Sequence, residues 1–262
     1  MPDSPPPIAS ARTPPRLPAA LCLACFLAAG PGILVLATPA TDEGAALAAE
    51  VRWQAPAEEF TTDGTLRLRD RNGRWWKEVR IHMAVVMSPD THTWQNNYAA
   101  FDTAGQATET LTVTHYPGGT NAYVYLPPGP GARPLTLAGR DALIPFAGSH
   151  FWLADFGLEF LFWPEQRVVG DAEMRKGRLC KVLESVNPDP KPGQYASVRS
   201  WIDIEKRGLL RAEAFDENHK LLKEFNIGGF KKIDGRWQLK SMEIRDELTD
   251  ERSRLEFDLE IE

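Results

Sequence analysis

Ser149 and His150 stand side by side in the stretch FAGSHF, and a serine next to an imidazole is half of a nucleophile–base pair. Neighbours on one segment rarely bring their functional atoms together, however, and FAGSHF is not the G-x-S-x-G elbow that presents a serine to substrate. The other histidines, His82, His92, His115 and His219, are scattered, with no pair at metal-ligand spacing. H-E-x-x-H, the phosphate-binding G-x-x-x-x-G-K and G-x-G-x-x-G are all missing, and PPGPGARP reads as a rigid loop because proline interrupts its glycines. Aspartate and glutamate are plentiful, but most occupy the wet phase of alternating segments. The expectation is a protein with no enzymatic chemistry, no metal and no cofactor.

Two aromatic pairs, Trp75-Trp76 and Tyr123/Tyr125, could stack on sugars or bases. They fall in segments with apolar periodicity, in a chain with 30 basic and 36 acidic residues, so they read as core packing. A net charge of −6 gives no bulk attraction to nucleic acid or anionic membranes.

The densest apolar stretch is HFWLADFGLEFLFWPEQ, residues 150–166. At helical periodicity Trp152, Leu153, Phe156, Phe160 and Trp163 form one stripe and Phe151, Leu158, Leu161 and Phe162 a second. Only Asp155 and Glu159 mark a polar edge, and Pro164 ends the pattern. Such a helix is too short and too charged to span a bilayer. Two readings remain open. It is a core helix plugging the concave side of a sheet, or a lid with one stripe on protein and the other on a cavity for an apolar ligand.

The elements that must position this segment are mostly strands. Period-two alternation runs through TLRLRDRNG, through Val79, Ile81, Met83, Val85 and Met87, and through TETLTVTHY and NAYVYLPP. Beyond the greasy stretch follow QRVVGDAEM, RLCKVLESV, YASVRSWIDI, LLRAEAF, LLKEFNIGGF, WQLKSMEIRDE and RLEFDLEIE. Asn72-Gly73, NPDPKPG, DENHK, IDGR and LTDE supply turn chemistry between them. The apolar phase shifts within WQLKSMEIR, from Trp237 and Leu239 to Met242 and Ile244, which predicts a bulge. About ten or eleven antiparallel strands with at most three helices make a mainly β (α+β) protein, one strongly curved sheet or unclosed barrel. A short helix is expected in TDEGAALAAEVRWQ.

The amino terminus is set apart. Arg12 and Arg16 precede an uncharged run from Leu17 to Ala37 that leaves through small residues, the pattern of a secretory signal. Export to the periplasm is expected, with residues 1–37 removed or, as the alternative, kept as an anchor, and residues 38–262 forming a single domain. Cys22 and Cys25 lie within that run, which leaves Cys180 alone in the exported chain.

With these segments in view, DFGLEFLFWPEQRVVG, GRLCKVLES, VRSWIDIEKRGLLRAEAFDENHKLLKEF and IDGRWQLKSMEIRDELT together resemble the LolA-like family of outer-membrane lipoprotein-sorting proteins. The likeness runs from about Arg140 to the end, more loosely from about Phe60. It implies an unclosed antiparallel β-barrel around an apolar cavity, with helices covering the concave face. It also implies a non-enzymatic carrier of lipid or lipoprotein acyl chains, served by an inner-membrane releasing complex and an outer-membrane acceptor. An envelope sensor or scaffold binding a protein partner is the alternative. On this reading Phe146, Phe151, Trp152, Phe156 and Phe160 belong to the lid, and Val79, Ile81 and Met83 to the wall it covers. The family also uses a basic strand residue to engage the lid, for which Arg67, Arg69 and Arg80 are candidates.

Overall fold

The computed structural model describes residues 39–88, 90–233 and 236–259; the expected signal or anchor, residues 1–37, lies outside them. Helix α1, Pro39–Arg52, forms where alanines and an acidic first turn favour it. Thirteen strands follow: β1 Phe60–Arg69, β2 Trp75–Ser88, β3 Thr93–Phe101, β4 Ala107–His115, β5 Ala122–Leu126, β6 Leu135–Ala138, β7 Glu165–Arg175, β8 Arg178–Val186, β9 Ser197–Asp203, β10 Leu209–Phe215, β11 Leu221–Ile233, β12 Arg236–Asp246 and β13 Glu251–Phe257.

They make one antiparallel sheet in the order β6-β5-β4-β3-β2-β1-β13-β12-β11-β10-β9-β8-β7. Every neighbouring pair is a hairpin except β13 and β1, which join the two runs. The outer strands β6 and β7 do not pair with each other, so the barrel stays unclosed. Residues 139–164 run from one outer strand to the other and are here called the cover.

The count exceeds the expectation by two. β3 contains Gln95-Asn96-Asn97, which hides its alternation, and its polar face bonds sideways: Thr112 Oγ1 donates to Asn97 Oδ1 at 2.6 Å. β6 is only 4 residues long and follows a proline-rich loop. The predicted bulge is present, since the β11–β12 register slips on both sides of the Gly229–Ser241 pair.

Three hairpins share one device. Asp70, Asp102 and Asp216 each accept, through Oδ1, the N–H two residues and four residues ahead. Each turn also needs a residue at positive φ, supplied by Gly73 and Gly105 and, less comfortably, by His219 at φ 58°.

Alternation places Leu66, Leu68, Ile81, Leu111, Val113, Tyr123, Ile244 and Leu255 in one buried cluster with Phe146, Phe151 and Phe156. A second cluster gathers Leu47 and Ala48 of α1 with Phe160, Leu161, Leu183 and Ile202. Helix α1 lies so close to β7 that a Cβ on Gly44 would overlap the Gln166 backbone.

Trp75 and Trp76 depart from the core expectation, being 45% and 55% exposed, whereas Tyr123 and Tyr125 are buried. Opposite Leu68 and Arg69 stand Lys77 and Trp75, so Trp76 is the extra residue of a bulge. Trp75 is thereby turned beside Arg69, whose guanidinium carbon lies 5.6 Å from the ring centroid.

Candidate functional site

The greasy stretch is not one helix. Leu153–Phe156 form a single α turn and Glu159–Phe162 a 3-10 turn, separated by Gly157 and by Leu158 at φ 48°. The break has a tertiary cause. Asn121 Nδ2 donates to the Gly157 carbonyl at 2.7 Å, and a Cβ at position 157 would overlap the Tyr123 hydroxyl and the Asn121 amide. A continuous helix would spend that carbonyl on its own ladder.

Between the cover and the sheet lies a cavity of about 400 Å³, within the range of small-ligand sites. Phe156 and Leu158 form its cover side, and Met83, Tyr98, Phe225, Ile227, Leu239, Met242 and Phe257 its sheet side. The linker Pro56–Glu58 with Phe60, Thr62, Asp155, Leu209 and Leu259 completes its boundary, and Ala57 and Glu58 are exposed. A second space of about 460 Å³ adjoins Phe160 and Trp163, with Glu159, Arg140 and the loop Asn187–Tyr195 around it.

The eight residues expected at a lipid site therefore fall in different places. Phe156 and Met83 line the first cavity, and Phe160 the second. Phe146, Phe151 and Ile81 are buried core, and Val79 packs against that core. Trp152 stacks on Tyr195 with centroids 4.5 Å apart. Phe156 also closes an aromatic cluster, 4.7 Å from Tyr98, 5.4 Å from Phe146 and 5.6 Å from Phe151.

Buried polar groups fasten the cover. Lys77 Nζ donates to the Ala147 carbonyl at 2.8 Å, and Glu109 Oε1 accepts the Ala147 N–H at 2.9 Å and the Tyr125 hydroxyl at 2.8 Å. These bonds hold Ala147 at φ 52°, a conformation unfavourable for a residue with a Cβ. Lys223 Nζ donates to the His150 carbonyl at 2.7 Å and lies 3.6 Å from the Trp152 ring centroid. Asp155 accepts the Trp152 N–H at 2.8 Å and faces the Tyr195 hydroxyl at 3.3 Å. Gln166 and Arg52 hold the far end through the carbonyls of Phe160, Trp163 and Leu161.

The basic strand residues that engage the cover are thus Lys77 and Lys223, with Arg52 of α1 at its far end. The candidates Arg67, Arg69 and Arg80 face elsewhere: Arg67 pairs with Glu78, Arg69 lies beside Trp75, and Arg80 lies over Phe101. A signal for the right residues was present. Lys77, Glu109 and Lys223 each occupy the apolar phase of their strand, in step with Val79, Leu111 and Phe225. A charge in that phase is stable only with a partner across the core.

Burial shifts Lys223, Asp155, Glu109 and Glu159 toward neutrality. It lowers Lys223 to about 8, with Asp155 and Asp246 opposing the shift. Burial raises Asp155, opposed by Lys223, the Trp152 N–H and the Tyr195 hydroxyl, and it raises Glu109 likewise against Ala147, Tyr125 and Lys77. Glu159 rises to about 7 on burial, although the Tyr123 hydroxyl donates to its Oε2 at 2.9 Å. The fold thus favours protonated Glu159. Its contribution is complete below the unfolded value near 4.5 and is lost as pH rises through about 7. Glu159→Gln keeps an acceptor for Tyr123 without the charge. It should raise stability at pH 8 by about 2 kcal/mol, allowing for residual solvent contact, and flatten the slope between pH 5 and 7 in urea titrations.

Ser149 and His150 do not form a pair. The Ser149 hydroxyl accepts the Phe151 N–H at 3.2 Å, and His150 Nδ1 lies 2.9 Å from Ser253 Oγ with Nε2 3.3 Å from Glu251. Serine, imidazole and carboxylate follow one another as in a hydrolase, but Ser253 is 0% exposed and lines none of the cavities described. A nucleophile must reach a substrate carbon, so this chain of bonds fastens the cover to β13. Among the described residues no cluster of histidine, cysteine or carboxylate suits a metal, and Cys180 is buried and unpaired. No described helix is long and apolar enough to cross a membrane.

Residues 99–261 match the model of a family whose description reads "-like: Uncharacterized protein". The chain belongs to that family. Its fold is that of LolA-like proteins, as solved structures show. A DUF1329 family protein from Desulfovibrio piger superposes with a TM-score of 0.67 at 16% identity, covering 84% of this chain and 91% of the other. A candidate outer membrane lipoprotein-sorting protein domain from Vibrio parahaemolyticus gives 0.67 at 16%, covering 84% and 92%. A LolA superfamily protein from Nitrosomonas europaea gives 0.55 at 16%, covering 85% and 94%. No curated protein matches the chain in sequence.

Proposed function

We propose that this LolA-like protein is a non-enzymatic periplasmic carrier that holds an acyl chain of a lipid or lipoprotein between cover and sheet. The observation that carries the reading is the cavity of about 400 Å³ with a predominantly apolar wall. An acyl chain costs ~0.8 kcal/mol per methylene to expose to water, so its passage between membranes requires a dry, shaped space. The cover is fastened by buried bonds on both sides of Phe156, so we place the opening at the linker Pro56–Glu58, where exposed residues meet the cavity. Residues 38–262 would act as one domain, released from or tethered by residues 1–37.

Native mass spectrometry after gentle purification, together with titration of a fluorescent fatty acid, tests the proposal. Retained lipid or saturable probe binding is expected. A chain that never retains lipid and never binds the probe overturns it. The fastened cover also favours a second reading, an envelope sensor or scaffold that binds a protein partner without opening. Negative lipid results with an uncleaved amino terminus, shown by sequencing the exported protein, would support it.

A further inference from the structure

We propose that the turn joining β1 and β2 is a docking surface for an anionic phospholipid membrane. Residues 69–76 carry three arginines and one aspartate in a chain of net charge −6, so this turn is locally basic; in the neighbouring β12–β13 turn Glu247 and Asp250 pair with Arg245, and Asp246 accepts the N–H groups of Leu248 and Thr249. Arg71 and Arg74 are exposed and form no ion pair among the described residues. Asp70 directs Oδ1 at the N–H groups of Asn72 and Arg74, which engages the one local carboxylate within the turn. Beside these cations the bulge turns out Trp75 and Trp76, 45% and 55% exposed. Leu248, 57% exposed, lies in the next turn at the same end, because β13 leads from it and pairs with β1.

Indoles with an apolar ring and one N–H favour the water–bilayer interface, and arginines beside them meet phosphate headgroups. An exposed aliphatic side chain at the same end of the sheet as the indoles fits acyl tails better than the stacked bases of a nucleic acid. The acidic remainder of the chain would be repelled by an anionic surface, which orients the basic β1–β2 turn toward it. The proposal does not depend on what the cavity holds.

Flotation of the full chain with vesicles of pure phosphatidylcholine, or with added phosphatidylglycerol, tests it. The uncharged run 17–37 and the arginines before it are common to all variants, so differences between variants report the turn alone. Binding should be stronger on anionic vesicles and weaken with salt. Arg71→Ala/Arg74→Ala should weaken it roughly thirtyfold, at about one charge contact per arginine. Trp75→Ser/Trp76→Ser should weaken it on both vesicle types. Circular dichroism and fatty-acid titration of the variants should remain unchanged, which separates this surface from the cavity. Amide exchange should slow at residues 70–76 only when anionic vesicles are present. Equal binding by wild type and both double variants overturns the proposal, as does binding of a single-stranded oligonucleotide through these residues without vesicle binding.

Discussion

Asp155→Ala is expected to lower unfolding stability by about 3–4 kcal/mol. The side chain accepts the N–H that opens the Leu153–Phe156 turn, a capping interaction worth roughly 1 kcal/mol. It also stands opposite Lys223, a residue only 6% exposed, and removing the carboxylate leaves that charge in a poor medium at a cost of about 2–3 kcal/mol. The Lys223 pKa should then fall below about 8, because Asp155 opposes the lowering. Lys223→Met should cost less, since the ammonium already bears a desolvation penalty that its bond to His150 and its contact with Trp152 offset only in part. The double variant Asp155→Ala/Lys223→Met should recover part of the loss. Urea unfolding across this cycle decides the matter, and a loss below 1 kcal/mol for Asp155→Ala would show that the pair does not hold the cover.

Met83→Trp is expected to weaken fatty-acid probe binding roughly a hundredfold while changing stability little. Met83 is half-buried on β2 and faces the cavity, so the larger ring enters empty space. Displacing three or four methylenes of a bound chain at ~0.8 kcal/mol each sets the size of the effect. Ile81→Trp, two residues earlier on the same face but fully buried, should instead overpack the core and destabilise the fold. Probe titration with parallel unfolding curves separates the two. Unchanged affinity in Met83→Trp would remove the cavity from the function.

How much was legible differs from element to element. β13 reads directly from its alternation of Leu255 and Phe257 with charged neighbours, and the bulge in β12 from a single shift of apolar phase. β3 was not legible, because Gln95-Asn96-Asn97 puts amides on both faces, Asn97 bonding to Thr112 and Asn96 to His115, and so hides the hydrophobic alternation. Trp75 and Trp76 were misread because the bulge at Trp76 reverses the face of Trp75, and nothing local to the pair shows where the register slips. The greasy stretch had the right composition for a cover and the wrong continuity, since Asn121 breaks it from 36 residues away.

By itself the sequence determined a mainly β, antiparallel protein with a LolA-like pattern, because strand alternation and turn chemistry are properties of neighbouring residues. The tertiary structure decided which apolar side chains are core and which face a cavity. That distinction sets Phe151 apart from Phe156 and Ile81 from Met83, pairs that periodicity treats alike. It also decided that Lys77, Glu109 and Lys223, out of place in their strands, fasten the cover at Ala147 and His150. A void, or a partner for a buried charge, is made by groups far apart along the chain, and only their packing brings them into contact.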